Sequence, residues 1–152
     1  IYLAEDLPYD PALISEAGGV RAAIDKLVDN VIEQQFTHRE ENKFIEVTLR
    51  SGRREVLYRG DLISGALISS VVERAKGLAI KRAIATQQEE GISASDLILS
   101  LNAEYAENDI FPPTDITEDW LKLIDYDAEN VVKVAPIRAS TEDRPRGNRA
   151  VI

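Results

Sequence analysis

One short run in this chain has the residue types for ligand chemistry: Ser64-Gly65-Ala66, set between Ile63 and an apolar series that begins at Leu67. Ser64 can cap a helix, and Gly65 and Ala66 leave its first turn without bulky side chains. A flat or anionic group could then approach the backbone amides closely. An ordinary capped helix asks the same of the sequence, so the residues alone leave both readings open. The run is not a phosphate-binding loop. Gly60 to Gly65 has the two glycines, but Ala66 and Leu67 stand where G-x-x-x-x-G-K-S/T requires a Lys and a hydroxyl. His38 is the only histidine and cysteine is absent, which excludes a His-based triad, a multi-histidine metal site and thiol chemistry. Beside Arg39, Glu40 and Glu41, His38 reads as a solvated turn residue. Asp125, Asp127 and Glu129 begin like a calcium loop, but Asn130 takes the place of its glycine and Pro136 that of its bidentate Glu. Glu40-Glu41, Glu89-Glu90 and Asp115 to Asp119 read as solvated faces or first-turn charges, and Trp120 as a packing anchor. No residue is assigned a catalytic role, and none a metal.

The elements that position Ser64 to Ala66 follow from periodicity. Leu67, Ile68, Val71, Val72, Ala75, Leu78, Ala79 and Ala83 recur at helical spacing to about Thr86, and Val20, Ala23, Ile24, Leu27, Val28, Val31 and Ile32 do so to about Gln35. Ser93 to Asp96 is a Ser-x-x-Asp start for a helix with Leu97, Ile98, Leu101 and Tyr105 inward. Ile45, Val47 and Leu49 alternate with Glu46 and Thr48, Ser51-Gly52 turns, and Glu55 to Tyr58 resumes, so 43–58 reads as a β-hairpin. A hairpin alone is marginal in water, and Val131 to Val134 is its natural third strand. Ile1, Tyr2 and Leu3 read as the end of an apolar helix, stopped by the breaker Leu7-Pro8-Tyr9-Asp10-Pro11. Phe111-Pro112-Pro113 breaks the chain again, and Thr117 to Trp120 starts a short helix. The expected fold is α+β: a helical body over 1–139 with an inserted hairpin and a small sheet, then a flexible polar tail over 140–152.

Length and composition agree with one domain and one core: 152 residues, 44% apolar and 30% charged. Net charge is −9 with no basic stripe, which argues against nucleic acid as a partner. No apolar run reaches the roughly 18 residues of a membrane span. The lack of cysteine fits a reducing cytoplasm. The chain opens on Ile1 rather than Met and reads as a segment of a longer polypeptide.

Ser64-Gly65-Ala66-Leu67-Ile68, Val72-Glu73-Arg74-Ala75-Lys76 and Ala79-Ile80-Lys81 resemble the small, or lid, subdomain of AAA ATPases of the proteasomal branch. So do Glu41 to Thr48, Glu104 to Asn108 and Asp119-Trp120. This branch is also called ARC, for AAA ATPase forming ring-shaped complexes, and carries an inserted hairpin before the Ser-Gly-Ala helix. The resemblance implies a hexameric, ATP-driven unfoldase that feeds protein substrates to a proteasome core. It also implies that Gly65 and Ala66 line the adenine side of ATP, with Ser64 capping the helix beside it. The Walker motifs, with the Mg²⁺ site, and the arginine fingers and pore loops belong to the large subdomain, so the lid alone is expected to be inert. Family members that dock on a proteasome end in Gly-Gln-Tyr-Leu, whereas this sequence ends Gly147-Asn148-Arg149-Ala150-Val151-Ile152. Two alternatives stand beside this reading. One is a self-standing α+β interaction module in which Ser64 to Ala66 only caps a helix; the other is a ring ATPase that remodels partners without a proteasome.

Overall fold

The structure is a computed structural model that describes residues 2–107 and 130–137. Its helices are α1 (Pro11–Ala17), α2 (Val20–Gln35), α3 (Gly65–Thr86) and α4 (Ala94–Glu107), and its strands are β1 (Lys43–Leu49), β2 (Arg54–Tyr58) and β3 (Val131–Pro136). The α+β architecture is the one expected. The expected short helix at Thr117 to Trp120, the residues Asp125, Asp127 and Glu129, and the tail 140–152 lie outside the described residues.

The N-terminal segment differs from its expectation. Tyr2 and Leu3 are not helical, and Pro11 opens a helix instead of only closing one. Proline lacks an amide donor that the first helical position does not use, so the same residue that breaks a preceding helix starts a following one. Asp10 caps this start by accepting from the amide of Ala12 at 2.9 Å. Gly18, at φ 85°, ends α1 in the left-handed conformation that favours glycine, and its amide donates to the carbonyl of Ile14.

The sheet has the order β2-β1-β3, with both pairings antiparallel. Val47 faces Glu55 on one side and Val134 on the other. Period-2 alternation aims Ile45 and Val47 at the same face, where both are buried with Leu57 against Leu62, Val131 and Val134. A larger core gathers Ile24 and Leu27 of α2, Val71, Ala75 and Ala79 of α3, and Leu97, Leu101 and Tyr105 of α4. Phe44 packs on both clusters and meets the Tyr105 ring edge-on at 5.2 Å, coupling sheet to helices.

Tyr9 and Ile92, far apart in sequence, form a parallel bridge. The Asp10 amide donates to the Ile92 carbonyl at 3.2 Å, and the Ile92 amide to that of Pro8 at 2.9 Å. Tyr9 is buried, and its hydroxyl donates to the Ala4 carbonyl at 2.7 Å. Pro8 of the breaker therefore belongs to a strand-like clamp that ties the entering chain to the start of α4.

Candidate functional site

Helix α3 begins where the spacing places it. The amide of Leu67 donates to Ser64 Oγ at 3.2 Å, and the amide of Ile68 to the Ser64 carbonyl at 3.0 Å. The amides of Gly65 and Ala66 have no acceptor within the helix, as the first turn dictates. All three residues are exposed, and no carboxylate occupies the first turn of α3. The helix start thus offers a positive dipole end and small side chains to an approaching group.

Two clefts lined by described residues border it. Ser64 and Ala66 border one of about 330 Å³ with Phe44, Leu67, Glu104 and Tyr105. Ile63 and Ile68 border the other, about 200 Å³ and lined by apolar side chains that include Leu3, Val28 and Ile32. Val28, Ile32 and Ile63 remain exposed there despite their size. The second of these clefts suits a flat, apolar group.

Sequence reasoning missed Tyr2. A Cβ added at Gly65 would fall 2.7 Å from the Tyr2 hydroxyl, so the space left by the missing side chain is held by a phenol from the entering segment. Tyr2 is itself 44% exposed and lies beside the start of α3. No spacing rule links residues 2 and 65; the contact exists only because the chain from Ala4 to Asp10 is clamped.

The charged residues elsewhere on α3 and α4 mostly serve the fold. Arg82 Nη1 and Nη2 donate to both oxygens of Asp96 at 2.7 and 2.9 Å, and Arg82 Nε donates to Glu90 at 2.7 Å. Glu90 is therefore an ion-pair partner and not a solvated face. Burial pushes the Asp96 carboxyl up, but hydrogen bonds from Arg82 and from the amide and hydroxyl of Ser93 outweigh it and hold the group below the usual carboxylate range. The Ser93 amide donates to Asp96 at 2.9 Å, completing the helix start that the Ser-x-x-Asp spacing indicates. Arg74 likewise binds Glu104 and Glu107. His38 is exposed and stacks on Tyr58 at 4.1 Å. Among the described residues no group of acidic or imidazole side chains is arranged to hold a metal, and no helix is long and apolar enough to cross a membrane.

Residues 1–151 match the family model described as "ARC, AAA+ ATPase lid domain". The chain is 38% identical over 136 residues to an AAA ATPase forming ring-shaped complexes from Corynebacterium kroppenstedtii, covering 88% of this chain and 24% of that protein. It is 35% identical over 151 residues to a proteasome-associated ATPase from Nakamurella multipartita, covering 99% of this chain and 25% of that one. A proteasome-associated ATPase from Streptosporangium roseum is 37% identical over 88% of this chain and 23% of its own length. The chain spans about a quarter of the length of these relatives. With the four α-helices and the three-stranded antiparallel sheet of its described residues and the match along nearly its whole length, the chain belongs to the lid-domain family of the ring-forming, proteasome-associated AAA+ ATPases.

Proposed function

We propose that this chain is the lid of an ATP-driven, ring-forming unfoldase linked to proteasomal degradation, and that the start of α3 forms one wall of its nucleotide pocket. The observation that carries the reading is the exposed Ser64-Gly65-Ala66 turn, uncapped by any first-turn carboxylate and bordered by apolar surface, in a chain of this family. In it, Gly65 and Ala66 face the adenine, Ser64 holds the helix end in place, and the ring of Tyr2 adds a second flat surface. ATP supplies the energy of the reaction when bound. Phosphate and Mg²⁺ contacts are left to the large subdomain, since the lid has no P-loop Lys or hydroxyl at the required positions. The reading includes a hexameric ring in the cytoplasm, protein substrates and a proteasome core as partner.

The test uses the intact ATPase. Gly65→Leu is expected to weaken ATP binding at least tenfold, because the new side chain fills the approach to the amides and displaces Tyr2. Gly65→Ala serves as the control for folding: its methyl meets only the movable end of Tyr2, so stability should hardly change. Unchanged nucleotide affinity in a folded Gly65→Leu protein would reject the assignment and favour a simple helix cap.

A further inference from the structure

Arg59 opens the turn after β2, and its guanidinium is half-buried, 5.3 Å from the centre of the Tyr105 ring. Its Nη1 donates to Gln35 Oε1 and Asn102 Oδ1, both at 2.7 Å, and both acceptors are neutral amides. Its Nε is buried and makes no hydrogen bond. Arg74 and Arg82 each hold two carboxylates, whereas no carboxylate among the described residues pairs with Arg59. A cation removed from water without a counter-charge is costly, and burial accordingly holds this guanidinium below its ordinary pKa.

The group lines a polar cleft of about 490 Å³ with Gln35, Arg39, Glu41, Asn42 and Asn102. The end of α2 does not consume the charge. Asn42 Nδ2 already donates to the carbonyls of Gln34 and Thr37 at 3.0 and 2.9 Å, and a helix C-terminus offers only a partial negative charge. Arg39 adds a second cation whose only carboxylate contact among the described residues, to Glu33, is long at 3.9 Å. The amide N–H groups of Gln35 and Asn102 remain as donors, since their oxygens face Arg59.

We propose that this cleft receives a single carboxylate, an Asp or Glu side chain from an acidic polypeptide segment, which pairs with Arg59 and accepts from Gln35 and Asn102. Guanidinium and carboxylate match in geometry and charge. Glu41 in the lining disfavours a dianion such as phosphate inside the cleft, where a carboxylate side chain brings a single charge. The pairing needs no nucleotide and stands apart from the function proposed above.

The test follows the arginine Nε–H resonances of the 152-residue chain by NMR during titration with an N-acetylated tetraglutamate peptide and, separately, with inorganic phosphate. The Arg59 resonance should move saturably with the peptide while those of Arg74 and Arg82 stay in place. Asn102→Asp puts a carboxylate where the amide oxygen now accepts from Arg59. It should weaken peptide binding at least tenfold while raising Tm, which separates self-filling of the cleft from unfolding. Absence of a saturable shift, equal affinity in Asn102→Asp, equal shifts at all three arginines, or tighter binding of phosphate would each overturn the proposal.

Discussion

A methyl group added at Gly91 would lie 2.1 Å from the carbonyl carbon of Tyr9 and 2.3 Å from its oxygen, inside backbone that cannot yield without breaking the Tyr9–Ile92 bridge. Gly91→Ala should therefore cost more than about 2 kcal/mol, in the range of severe overpacking, as read by chemical denaturation. Gly77 is the counterpart: a Cβ there meets nothing within 4 Å, in the interior of α3. Gly77→Ala should stabilise by about 0.5–1 kcal/mol, because alanine loses less backbone freedom on folding; an unchanged or lower Tm contradicts this. Asp96 carries a pH dependence. Its folded pKa lies below its unfolded value, so its contribution is present above the unfolded carboxylate range and is lost as pH falls through the folded pKa. Asp96→Asn should destabilise by about 2–3 kcal/mol at pH 7, less than a fully buried pair because Arg82 keeps Glu90. The gap to wild type should narrow on acidification below about pH 4, and a gap that stays constant to pH 2 speaks against the assigned linkage.

Between elements, the sheet depends on a strand contributed from far along the chain. β2 and β1 can zip locally, but β1 buries Ile45 and Val47 only with β3 alongside and Phe44 wedged toward Tyr105. Amides of Ile45 to Leu49 and of Val131 to Val134 should exchange with solvent slowly and as one group, whereas the turn at Ser51-Gly52 exchanges fast. Hydrogen-exchange mass spectrometry that finds β3 exchanging freely while β1 stays protected would dissolve this coupling. Helix α3 has the complementary role: one face carries Val71, Val72, Ala75 and Ala79 into the core, and its far side leaves Ile80 and Ile84 exposed. Packing on α4 fixes its axis, so the direction in which Gly65 and Ala66 point is set by the core beneath.

For the molecule as a whole, the proposed division of labour predicts a lid that does no chemistry by itself. The 152-residue chain should show no ATP turnover above buffer and no sub-micromolar ATP binding by calorimetry with Mg²⁺; either result would contradict the assignment of phosphate contacts to the large subdomain. Local physics made much of this legible in the sequence. Helical spacing placed α2, α3 and α4, alternation placed the hairpin, and the β-branched run at Val131 supplied the third strand, because each signal lies within a few residues. The Ser64 cap and the Ser93–Asp96 pairing were equally local. What the sequence left undecided depends on groups distant along the chain. Pro11, read from the sequence only as a breaker, starts α1 because Asp10 caps it and the Ile92 bridge fixes the entering strand. Tyr2 could not be connected with Gly65, nor Arg59 with Gln35 and Asn102, because packing alone brings these side chains together. Burial also decided the standing of the charges: Arg82 and Arg59 look alike as letters, and only the tertiary structure gives one of them two carboxylates and the other two neutral amides.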